Sequence, residues 1–185
     1  MAYTSVALLI LSVSLSVDAY GNLNPKQLKA KCDKTPYPGY CLAITKARHY
    51  DPMVYPMASA QDMAQYLMSI AARIGHDLTT MARAESVRLP GGSARRRCMQ
   101  RCAAGFDAAA SKLDVVDPEL VDDSNEPFQL VYHFVQKKRN VLAENWDACP
   151  GKPTAGDMVA KQKHFVMLMD VILALGKLPD PQPLL

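Results

Sequence analysis

The stretch SAQDMAQYLMSIAARIGHDLTTM, Ser59 to Met81, decides the fold. Small and apolar residues recur in it as Ala60, Ala64, Leu67, Ala71, Ile74, Leu78 and Met81, at alternating steps of four and three. That spacing keeps one narrow stripe on a single side of an α-helix, and no alternation of period two competes with it. Ser59 followed by Asp62 reads as a capping box, each side chain closing the other's open backbone N–H and fixing where the helix starts. The segment is a helix made to pack on other helices, and its stripe is read as core. Function must then lie on the surface, in the cysteines and in the cellular address.

The same seam appears further along. The pattern from Ser59 persists to about Val87, and Pro90-Gly91-Gly92 breaks it. Cys98, Cys102, Phe106, Ala109, Leu113 and Val116 mark a second long helix, and Phe128, Val131, Val135, Leu142 and Trp146 a third that stops before Cys149-Pro150-Gly151. Thr154 and Asp157 offer another capping box, opening a fourth helix that runs to Leu175-Gly176 through Phe165, Val166, Met169 and Ile172. Lys161, Lys163, His164 and Asp170 rule that helix out as a membrane span. Upstream, Asn24-Pro25-Lys26-Gln27 is a helix start with its own capping box, expected to run to about Lys31. Two prolines and a glycine between Cys32 and Cys41 then turn the chain back, and a second short helix follows from Leu42 to Arg48, ended by the prolines at 52 and 56. The expected architecture is all-α: an up-down-up-down four-helix bundle over 57–185, preceded by an αα-hairpin over 20–56.

Residues 1–19 read as a secretory signal, an apolar run from Val6 to Val17 too short to span a bilayer, followed by small residues before Tyr20. The whole sequence carries 21 basic and 18 acidic side chains. Loss of residues 1–19 removes only Asp18, leaving 21 against 17, a charge of +4. That balance favours soft association with an acidic partner and argues against a nucleic-acid binder. The dense cluster Arg95-Arg96-Arg97 with Arg101 reads as a solvated helix start.

An enzyme needs a nucleophile with its base, a metal set or paired carboxylates. The sequence offers no such constellation, and His49, His76, His133 and His164 are scattered. Cys98 and Cys102 stand four apart, but no second cysteine or histidine pair supplies the other half of a zinc site, so neither metal nor cofactor is expected. The reading is a binding protein without catalysis. Five cysteines cannot all pair: Cys32 and Cys41 are expected to close the hairpin, leaving Cys98, Cys102 and Cys149 to share one bridge and one spare thiol able to join two copies.

Cys32-x-x-Thr35-Pro36-Tyr37-Pro38-x-Tyr40-Cys41, Asp51-Pro52, the alanine-rich helix from Ser59, Cys102-x-x-x-Phe106 with Ala109 and Leu113, Cys149, and Phe165-x-x-Leu168-x-x-x-Ile172-Leu173-Ala174-Leu175 occur in register. With these features the chain resembles the plant invertase and pectin methylesterase inhibitors. The resemblance implies an apoplastic four-helix bundle with an N-terminal hairpin that covers the active-site cleft of a cell-wall carbohydrate enzyme. It also implies bridges Cys32–Cys41 and Cys102–Cys149 with Cys98 free, since Cys102 is the cysteine followed by the family's spacing. The outer face of the opening helix, Asp62, Gln65, Tyr66, Ser69, Arg73 and His76, is the candidate contact surface, because Tyr and Arg are common binding anchors and His76 makes binding pH-sensitive in an acidic wall. Invertase inhibitors of this family often carry Pro-Lys-Phe ahead of the final cysteine; here the nearest piece is Glu126-Pro127-Phe128, which lacks the lysine. Pectin methylesterase, with its acidic polymer groove, is therefore the favoured target and acid invertase the alternative. A hydrophobic-ligand carrier is the lesser rival.

Overall fold

The computed structural model describes residues 23–49, 58–114, 126–154 and 156–179. Residues 1–19, expected to be a secretory signal, the prolines at 52 and 56 and most of the acidic connection after Asp114 lie outside the described residues. Those described form six helices and no strand: α1 (Pro25–Cys32), α2 (Pro38–His49), α3 (Ala60–Arg88), α4 (Ala94–Leu113), α5 (Glu126–Asp147) and α6 (Asp157–Leu175). None of them is long and apolar enough to cross a membrane.

Helix starts follow the local chemistry. Asn24 accepts from the backbone N–H groups of Lys26 and Gln27 while the Gln27 side chain accepts from the Asn24 N–H, and Pro25 fills the first helical position, where its missing N–H costs nothing. Ser59 Oγ accepts from the Asp62 N–H at 2.9 Å, and Asp62 Oδ2 accepts in return from the N–H of Ser59 at 2.8 Å. The capping box read from the sequence is formed. Helix α6 differs: it begins at Asp157 behind Gly156, whose φ of +94° places the cap in a region open to glycine, and no side chain caps it. The expected Thr154–Asp157 box is absent because Asp157 occupies the first helical position rather than the third. Helix α2 starts at Pro38, four residues ahead of the expected Leu42, since proline is pre-shaped for a helix's first turn.

The seam of α3 is inside. Ala60, Ala64, Leu67, Ala71 and Leu78 are buried, and Ile74 and Met81 pack against the same core. Contacts link α3 to α4, α4 to α5, α5 to α6 and α6 back to α3, so the four long helices close a ring around one core of Met63, Leu67, Met99, Phe106, Phe128, Trp146, Phe165 and Ile172. Two buried hydroxyls are satisfied locally, Thr79 Oγ1 donating to the Gly75 carbonyl at 2.9 Å and Thr45 Oγ1 to that of Cys41 at 2.7 Å.

Helices α1 and α2 are tied by the Cys32–Cys41 disulfide, both of whose cysteines are fully buried. They join the rest through Leu23, Leu28 and Tyr40, the Tyr40 hydroxyl donating to the His164 carbonyl at 3.4 Å while its ring tilts against the His164 imidazole. Burial pushes the Tyr40 phenol up to about 12. The nine-residue spacing of this bridge implies a chain-entropy contribution of about 2–3 kcal/mol. The Cys32→Ser/Cys41→Ser double variant is expected to lose that much in a urea unfolding curve while keeping its helical circular dichroism; unchanged stability would show that α1 and α2 are held by packing alone.

Candidate functional site

The stripe Asp62, Gln65, Tyr66, Ser69, Arg73 and His76 lies within α3, whose helical turn keeps it on one side. Its two halves differ. Asp62 is engaged at the helix start, Ser69 Oγ donates to the Tyr66 carbonyl at 2.8 Å, Gln65 is half-buried, and Tyr66 packs against the core. Arg73 and His76 are exposed. His76 Nε2 lies 2.7 Å from Asp114 Oδ2, both side chains about half in water, so the pair is well screened. Neighbouring exposed charges are also bridged: Arg83 donates to Asp107 at 2.9 Å and Lys161 to Asp77 at 2.7 Å. The hydrogen bond from Lys161 to Asp77 raises the lysine pKa, outweighing the opposing effect of desolvation.

Between α4 and α5 lies a feature outside the sequence-derived set. Gly105, Ala108, Phe134, Lys138, Val141, Leu142 and Asn145 line a groove of about 210 Å³. A Cβ on Gly105 would meet Leu142 Cδ2 at 3.1 Å, so the missing side chain lets the two helices approach at its floor. Beside it, Arg97, Gln100, Arg101 and Ala104 border a shallower depression on α4. Val141 and Leu130 are large exposed apolar residues of α5 that stand off its buried seam of Phe128, Val131, Val135 and Trp146. Apolar positions that fail the seam spacing were the available signal.

The cysteines require a correction. Cys98, not Cys102, is bonded to Cys149, with Cα atoms 5.6 Å apart, and Cys102 is the buried free thiol. The reason is register. On α4 and the facing chain, Arg95 lies under Gly151, Cys98 meets Cys149, Cys102 Sγ faces the Asn145 carbonyl at 3.8 Å and Gly105 meets Leu142. The turn after α5, with Gly151 at φ +61°, folds over the beginning of α4 and so reaches the earlier cysteine. One helical turn separates Cys98 from Cys102 on the same face, so periodicity alone could not choose between them. All three sulfurs lie within 4.8 Å of one another. Burial pushes the Cys102 thiol up, against the opposing pull of Arg101 and Lys152.

His133 and His164 are exposed and touch the rings of Tyr132 and Tyr40 respectively. No protein-family model, curated protein or solved structure matches the chain.

Proposed function

We propose that the protein is a secreted inhibitor of a plant cell-wall carbohydrate enzyme, most specifically of pectin methylesterase, acting stoichiometrically through a preformed helical surface. The observation that carries this reading is the segment Cys32-x-x-Thr-Pro-Tyr-Pro-x-Tyr-Cys41, in which a disulfide closes two short helices and Tyr40 reaches α6. In this reading α1 and α2 are the family's N-terminal αα-hairpin, and α3 to α6 its up-down-up-down bundle. The pairs Gly75 with Ala110 and Glu85 with Arg95 support opposite directions for α3 and α4, as do Tyr132 with Leu173 and Arg139 with Asp170 for α5 and α6. The mature basic chain, without a Pro-Lys-Phe probe, suits an enzyme that works on an acidic polymer better than a glycosidase pocket.

The test titrates the purified chain without residues 1–19 against a plant pectin methylesterase and an acid invertase separately. Stoichiometric loss of methylesterase activity, weakened by added salt, is expected. Inhibition of invertase alone would move the target to the alternative enzyme, and inhibition of neither would overturn the reading. Arg73→Ala, at an exposed position, is expected to weaken inhibition about fivefold or more without changing the thermal midpoint. An unaltered inhibition curve for that variant would move the contact surface off this side of α3.

A further inference from the structure

We propose that Cys98, Cys102 and Cys149 form a thiol–disulfide exchange site in which the bridge to Cys149 moves between two successive turns of α4. A free thiol already sits beside a disulfide here, with all three sulfurs within 4.8 Å and each cysteine buried. The step needs no outside oxidant or reductant. Cys102 gives up its thiol proton, its sulfur attacks Cys149 Sγ, the Cys149–Cys98 bond breaks, and the electron pair leaves on Cys98 Sγ, which takes up a proton. One disulfide and one thiol stand on each side of the reaction.

Two arguments make the second bridge accessible. The first is chain entropy. Cys98 and Cys149 are 51 residues apart, and Cys102 is four residues nearer, so the closure terms for the two bridges differ by a factor of only about 1.1. The second is the shared face: positions four apart on a helix point the same way, so the exchange moves the link along α4 without turning the helix. Attack at Cys98 Sγ is the disfavoured direction. It would bridge two residues of one helix whose Cβ atoms stand about 5–6 Å apart, against the roughly 3.5–4.5 Å that a disulfide spans.

Burial sets who can take part and how fast. The sulfurs are shielded from bulky external thiols, so exchange is confined to the cluster, and the raised Cys102 pKa keeps its thiolate scarce, so the exchange is slow and needs prolonged incubation. The bridge fastens the turn after α5 to α4, and its transfer refastens that turn one helical step further along.

Arg101 makes the two isomers separable. Tryptic cleavage after it puts Cys98 and Cys102 on different peptides. The purified chain is incubated without reductant, quenched in acid, blocked with N-ethylmaleimide in denaturant, and mapped without reduction. The wild type is expected to give both Cys98–Cys149 and Cys102–Cys149 peptides, within about tenfold of each other, with the label divided between Cys102 and Cys98. Cys98→Ser is expected to form the Cys102–Cys149 bridge and Cys102→Ser to hold Cys98–Cys149 alone. Label confined to Cys102 in the wild type after prolonged incubation overturns the proposal whatever the variants do. The wild-type map also decides alone if Cys98→Ser fails to fold.

Discussion

Gly75→Leu is expected to lower the thermal midpoint by about 10 °C or more, the largest effect of any single substitution in α3. A Cβ at this buried position would stand 2.9 Å from Ala110 Cβ, 3.5 Å from Ala110 Cα and 3.3 Å from Phe165 Cε2. The closest obstacles belong to a short side chain and its backbone, which cannot swing aside, so α4 itself must retreat. Overpacking a tight core by a methylene or two costs about 1–3 kcal/mol. Leucine adds four carbons where even one does not fit, and for a chain of this size each kcal/mol lowers the midpoint by about 2–4 °C. Gly75→Ala separates the competing effects. Helix propensity alone would make alanine more stable by about 1 kcal/mol. A net loss is expected, because the close approach outweighs that gain. Circular dichroism melts of both variants check this, and an alanine variant melting above the wild type would mean that α3 and α4 separate freely.

Asp170→Ala is expected to cost about 2 kcal/mol, the second largest effect. Arg139 of α5 grips Asp170 of α6 with two parallel bonds, Nε to Oδ1 and a terminal nitrogen to Oδ2, both at 2.7 Å. Such forks are stronger than single charge-assisted bonds, and these side chains are only 28% and 17% exposed. Removing one partner of a fully buried pair costs about 3–5 kcal/mol; residual water access at this site reduces that figure. The stranded group causes the loss, so Arg139→Met with Asp170→Leu together should recover most of it. The hydrogen bond to Asp170 holds the Arg139 guanidinium above its already high ordinary pKa. On the arginine side its contribution is therefore fully present below the unfolded-state value and is lost as pH rises through the higher folded-state one, outside any working range. A double-mutant cycle by urea denaturation measures the coupling, and additive single losses would show that the fork is ornamental to stability.

Much of this arrangement was legible in the chain. Seam residues Ala64, Leu67, Phe106, Val135 and Phe165 are buried as their spacing required, because a stripe at steps of three and four can only be hidden by other helices. The Asn24 and Ser59 caps were legible because a cap is settled within four residues. What could not be read depends on how distant segments meet. Choosing Cys98 over Cys102 needed the register of α4 against the turn at Gly151, a relation between residues some fifty apart. The need for glycine at position 75 has no local signal, since nothing nearby in the chain announces Ala110 beneath it. Within the candidate stripe on α3, spacing gave the common side, but the partial burial of Tyr66 and the exposure of Arg73 were set by other elements.

The ring of long helices is closed by α6, the last of them to leave the ribosome, which packs against α3, the first. At a synthesis rate of about 5–20 residues per second, a nascent α3 waits several seconds for that cover. During the wait its small-residue seam can be shielded by α4 but not by Phe165, Leu168 or Ile172. Chains cut short before residue 157 would keep that apolar face permanently uncovered, a substrate for chaperones and self-association rather than a smaller working protein.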